Sequence, residues 1–379
     1  MAIYDINGSA LTECYDLNAT KREFAYGIDG NIVFQDTDAY LQNRILVFED
    51  SFPYSTLNTE KWGYEIGYCR NNELQHYRPE NITINNGILD IKAIKEHYSG
   101  DTQRSSTWTS GSITTSNKFE AFYGRWQAKI KFAGLVGNFS AFWLLGEGCD
   151  FEYYDNGTHC RRIGAVGWCE CGEIDVTETI PGNATVAKCN LWKDTQASAG
   201  TGSSSTINLA EWNVYEMEWT SSTMQMLVNG TVYKTYDLST SGLEAYSLTN
   251  STTVQNGFYM ILNQAIGASG GTPSADVSEM NMLVDWVRVY APSSYTSDQI
   301  NATAISIPST QALTVGQGAT MAVTWTPAAT FDRTTKWSSS DENVVTAHSG
   351  YIKGIAAGTA TVTVTTNNNK TATCTVTVS

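Results

Sequence analysis

Between about residue 41 and residue 292 the apolar positions come in short runs, cut by Gly, Asn and Ser at close intervals. Residues 88–91 (Ile-Leu-Asp-Ile), 124–130 (Gly-Arg-Trp-Gln-Ala-Lys-Ile), 141–145 (Ala-Phe-Trp-Leu-Leu) and 282–290 (Met-Leu-Val-Asp-Trp-Val-Arg-Val-Tyr) read as strands. Hardly any window keeps a helical period over three turns, so the pattern predicts an all-β sandwich or barrel. Residues 1–40 are polar, with turn signals at Asn7-Gly8 and Asp29-Gly30 and a brief apolar run at 32–34; they predict an appended β segment. Residues 293–302 read as a polar linker. Residues 303–379 alternate Thr with Val or Ala (359–364) and turn at Asn367 to Asn369, which predicts a small immunoglobulin-like β-sandwich. That unit holds no clustered acids, so it reads as a spacer whose removal would leave the activity of the larger region nearly unchanged.

One strand departs from the alternation. Residues 172–178, Gly-Glu-Ile-Asp-Val-Thr-Glu, carry three carboxylates among β-branched residues. Side chains on a strand alternate faces, so Glu173 and Asp175 share one face and Glu178 falls on the other. A β-bulge, common beside active sites, would return Glu178 to the same face. Three acids there cannot all ionise near neutral pH without strong repulsion. A proton donor beside an ionised nucleophile is what retaining glycoside hydrolysis requires. The competing readings are a solvated acidic strand and a calcium loop, but the stretch lacks the alternating Gly and Asn/Asp of such a loop.

Charge narrows the substrate. The net charge of −15 argues against nucleic acid and anionic membranes, and a neutral glycan fits best. Only 16 % of residues are charged, a composition that suits a β-protein working outside the cell. No run approaches the ~20 apolar residues of a membrane span. The N-terminus lacks the basic and apolar regions of a secretory signal, so a leader removed earlier or another export route is expected. Of eight cysteines, Cys149 and Cys160 could clip a loop, and two or three others read as buried thiols. Nine of eleven tryptophans lie within 41–292, and indole faces suit sugar rings.

The central region resembles glycoside hydrolase family 16. The residues that carry the resemblance are 48–52 (Phe-Glu-Asp-Ser-Phe) with Lys61-Trp62, 71–77 (Asn-Asn-Glu-Leu-Gln-His-Tyr), Tyr123-Gly124-Arg125, Ala141-Phe142-Trp143, 172–178 and 284–290. They occur in the family's order. The resemblance implies a concanavalin-like β-jelly-roll with an open cleft, Glu173 as nucleophile, Glu178 as general acid/base and Asp175 between them, keeping Glu173 ionised while Glu178 stays protonated. It implies Trp168 beside the cleaved bond, and Asn71, Tyr77, Arg125 and Trp143 along the glycone subsites. Gln264 joins this substrate-binding set as an amide where an aliphatic residue is common.

The spacing of the three acids is that of laminarinases and agarases, and the 71–77 segment leans toward endo-β-1,3-glucanase. Other departures are Asn138-Phe139-Ser140 before Ala141, Cys169-Glu170 after Trp168, and no histidine within 187–192. No cofactor is required; the family implies a structural calcium on Glu49 and Asp285. The C-terminal unit resembles bacterial immunoglobulin-like domains of group 2. The expected activity is endo-acting, retaining hydrolysis of a β-1,3 or mixed β-1,3/1,4-glucan by a monomer. The alternatives are an endo-β-galactosidase on β-galactan or mucin-type glycans and a non-catalytic carbohydrate-binding protein, which would have no need of three clustered acids.

Overall fold

The computed structural model describes residues 44–379 except 69, 72, 101–104, 148–167, 169–170, 205–206 and 249–256, with the backbone of short strands within 1–43 and 148–167. The side chains of the N-terminal segment and of the Cys149 to Cys160 clip lie outside the described residues. Two sheets face each other. One has ten strands; the other has seven, ordered Gly202–Ser203, Asn183–Leu191, Glu173–Ile180, Asn138–Gly146, Phe258–Ile266, Ser112–Thr114, Gly63–Tyr64. The pairings in the seven-stranded sheet are all antiparallel.

Alternation assigns each strand's residues to a face. On Gly124–Lys131, in the ten-stranded sheet, Trp126, Ala128 and Ile130 point into the sandwich. Ile174 and Val176, and Met260 and Leu262, meet them from the seven-stranded sheet, together with Trp62, Phe122, Trp219 and Tyr246. Each such buried side chain contributes about 1.5–3 kcal/mol. The opposite face of the seven-stranded sheet carries its own apolar cluster of Ala141, Trp143, Leu145, Cys171, Tyr259 and Ile261. That second cluster floors the cleft. Cys171, Cys189 and Cys374 are buried.

The C-terminal unit has a four-stranded and a three-stranded sheet closing on Leu313, Met321, Val345, Ile352, Val362 and Val376. The segment expected as a polar linker is packed. It forms a short 3₁₀ turn, Ser297–Gln299, and then buries Ile300 in the sandwich core, with Tyr295 against the same core. Phe331 of the C-terminal unit enters that core too, fully buried. The polar surface of residues 293–299 is what made the stretch read as a tether. The few apolar side chains that anchor it do not form a pattern.

Candidate active site

The strand Glu173–Ile180 lies between Asn138–Gly146 and Asn183–Leu191. Against Asn138–Gly146, Trp143 faces Asp175 and Phe142 faces Thr177, which leaves Val176 as an extra residue. The pairing with Asn183–Leu191 also shifts between Asp175 and Glu178. This is the bulge that alternation required. Glu173, Asp175 and Glu178 all line one cleft of about 670 Å³.

Each carboxylate has its own partner. Trp168 Nε1 donates to Glu173 Oε2 at 2.5 Å, and Trp192 Nε1 donates to Asp175 Oδ2 at 3.1 Å. The two indoles pack with ring centroids 5.1 Å apart. Lys188 Nζ sits 3.1 Å from Glu178 Oε2. The backbone of Glu173 is held by Tyr246, whose hydroxyl accepts from Glu173 N at 2.9 Å and lies 3.0 Å from Glu173 O and 2.6 Å from Trp192 O. Gly172, with φ of +86°, lies so close to the Phe258 and Tyr246 rings that a Cβ would fall 2.6 Å from Phe258. Only glycine fits there.

Burial raises all three carboxyls. It pushes the Glu173 carboxyl up to about 7, assisted by the charge of Glu178 and opposed by the Trp168 N–H and Arg70. Burial also raises Glu178, but the Lys188 ammonium pulls it back. Asp175 is pushed well above the usual carboxylate range, by burial first and then by Glu178 and Glu173 on either side. All three carboxyls are raised together, so the cluster keeps a proton near neutral pH, as the crowding of three acids on one face led the sequence to expect.

Asn71, Trp143 and Trp168 line the cleft as expected. Three expected residues do not. Tyr77 is fully buried, and its hydroxyl accepts from Asn263 Nδ2 at 2.8 Å. Arg125 lies on the outer face of the ten-stranded sheet, away from the acids, where it grips Glu216 and stands 3.6 Å from Glu218. Its neighbours Gly124 and Trp126 have the opposite parity, and Trp126 takes the core. Gln264 is fully buried and accepts from Ser140 Oγ at 2.9 Å. Its neighbour Asn263 is the cleft residue, accepting from Trp143 Nε1 at 2.8 Å.

Arg70, Lys188 and Trp192 also line the cleft and were not anticipated. Arg70 lies 4.9 Å over the Trp143 ring and forks onto Glu65. The signal for Lys188 was its place on the partner strand, opposite Glu178.

The expected calcium ligands do not fit a cation site. Glu49 accepts from Arg288 Nε at 3.0 Å, and Asp285 lies 2.7 Å from Lys129 Nζ, so each already holds a positive side chain. Among the described residues, no group of three or more His, Cys, Asp or Glu could hold a metal ion.

Residues 71–286 match the family model for glycosyl hydrolases family 16, and residues 301–376 match that for the bacterial Ig-like domain (group 2). The chain is 31% identical over 290 residues to glucan endo-1,3-beta-glucosidase A1 of Niallia circulans, covering 67% of this chain and 39% of that protein. It is 29% identical to a beta-glucanase of Rhodothermus marinus, covering 65% of this chain and 84% of the relative. Among solved structures, the catalytic domain of an endo-1,3-beta-glucanase (laminarinase) from Thermotoga petrophila aligns with a TM-score of 0.55 at 26% identity, covering 65% of this chain and 98% of that one. The chain thus spans well under half the length of the first curated relatives it matches.

Proposed function

The chain belongs to glycosyl hydrolases family 16, and from that premise we propose that it is an endo-acting, retaining hydrolase of β-1,3-glucan or mixed β-1,3/1,4-glucan, working outside the cell. The observation that carries the reading is the bulge that turns Glu173, Asp175 and Glu178 onto one cleft face, with Trp168 on Glu173 and Lys188 on Glu178.

In this reading the ionised Glu173 attacks the anomeric carbon while Glu178 gives its proton to the departing glycosidic oxygen. A glycosyl ester forms on Glu173, and the shortened chain leaves with a new hydroxyl. Glu178, now a carboxylate, takes a proton from water, which displaces Glu173 and regenerates both groups. Trp168 N–H fixes the attacking oxygen, and Asp175, holding its proton, adds no second negative charge beside it. Trp143 and Trp168 offer ring faces to the C–H faces of sugars. Net charge and relatives both support a neutral glucan.

The test is digestion of laminarin, barley glucan, lichenan, agarose and mucin O-glycans, with proton NMR of the first product. Laminarin or barley glucan should be cut internally and release the β-anomer first. An initial α-anomer would refute double displacement, and cleavage of agarose or mucin glycans alone would move the substrate to a galactan.

A further inference from the structure

The C-terminal Ig-like domain reaches into the hydrolase. Ala121 bridges Phe258, at the start of a cleft strand, on one side and Asp332 on the other. Arg333 N donates to Glu120 O at 2.8 Å, and Glu120 N donates to Thr334 Oγ1 at 2.7 Å. Phe331 is fully buried in the sandwich core, and a Cβ on Gly124 would fall 3.0 Å from its ring. A domain that merely rode on the hydrolase would need none of these contacts.

Two contiguous sets of contacts lead from this seam to the nucleophile. In the first, Phe122 N donates to Phe331 O at 3.4 Å. The Phe122 ring lies 5.8 Å from that of Phe258, which lies 5.8 Å from that of Tyr246, whose hydroxyl holds the Glu173 backbone. In the second, Thr335 Oγ1 donates to buried Glu147 Oε1 at 2.6 Å. Glu147 follows Gly146, whose N donates to Gly172 O at 3.1 Å, and Leu145 lies opposite Glu173. Both routes end on the Gly172-Glu173 peptide. Support of this kind fixes a catalytic group within the tolerance that chemistry demands.

We propose that Phe331 and Thr335 are positioning residues for the nucleophile, and that the Ig-like domain is a structural support behind the active site rather than a detachable spacer. The proposal rests on the hydrolase reading above but is testable without a substrate. Phe331→Ala and Thr335→Val are compared, in the full chain, with Val376→Ala, which opens the Ig-like core away from the seam. All are assayed where near-ultraviolet dichroism shows them folded.

Phe331→Ala and Thr335→Val should speed hydrogen exchange at the Glu173 amide. On a short soluble oligosaccharide they should lower kcat about tenfold with little change in KM. Val376→Ala should do neither. If Phe331→Ala fails to fold, Thr335→Val, which deletes only the hydroxyl's contacts with Glu147 and Trp337, decides. Wild-type exchange and kcat in Thr335→Val, or equal effects from Val376→Ala, overturn the proposal. A wild-type protein that cleaves no glycan would sink the hydrolase reading and leave the exchange comparison standing.

Discussion

Among the described residues, two of the buried carboxylate clusters lie one on each sheet, and they are built differently. On the ten-stranded sheet, Glu216 and Glu218 meet Arg125 and Arg44, and Gln127 Nε2 and Gly230 N add hydrogen bonds to Glu216. Two acids face two guanidiniums. On the seven-stranded sheet three acids share the contact of one ammonium, Lys188, and two indole N–H groups. The first set is matched in charge and stabilises the sheet. In the second, burial pushes all three carboxyls up against the weaker opposing pull of Lys188 and Arg70, and a proton is retained. Burial alone does not identify a reactive acid; the missing counter-charge does.

The largest effect that tests this contrast is loss of Glu173, the nucleophile of the proposed reaction. Glu173→Ala or Glu173→Gln should cost on the order of 10⁴-fold or more in kcat with the fold intact, and azide should restore the Ala variant. Wild-type-like turnover in Glu173→Gln would break the comparison at its reactive end. At the other end, Arg125→Met should destabilise the protein by about 3–5 kcal/mol, because two buried carboxylates lose a partner. Urea unfolding measures this, and the folded fraction should keep its kcat.

The third test is the pH dependence of stability. A buried carboxyl raised to about 7 stays protonated in the folded protein while the unfolded chain ionises near the ordinary value of 4.5. The folded state then binds more protons, and stability falls as pH rises from about 4.5 to about 7. Glu173→Gln should flatten that slope and raise the midpoint of thermal unfolding at pH 7. The smallest effect is on the rate profile. Lys188→Met removes the charge that holds Glu178 down, so the alkaline limb of kcat/KM should move upward. An unmoved limb would mean that Lys188 does not set the acid/base.

The acids were legible because their evidence is local: five residues of alternation demand a bulge at 175–178, and the register shift is there. That the region is built of short strands was legible from its short apolar runs. Which face each strand turns to the cleft was not. Gln264 and Asn263 are adjacent and both amides, and only the neighbouring strands decide that Leu262 and Gln264 point inward and Asn263 outward. Arg125 misled for the same reason, since its strand belongs to the other sheet. Glu49 and Asp285 lie on the first and last strands of the hydrolase, and nothing local shows that Arg288 and Lys129 would claim them. The packing of residues 293–302 hangs on a few anchors, too sparse for any periodicity.

Trp168 is the only exposed one of the eleven tryptophans, at 38 %, and its indole N–H is bonded to Glu173. An indole in that position is a built-in optical probe. Its emission responds to water at the ring face and to charge at its nitrogen. A sugar covering the ring should shift the emission to shorter wavelength, and protonation of Glu173 should change its intensity. Difference spectra against Trp168→Phe would then report glycan occupancy and nucleophile titration, with no label attached.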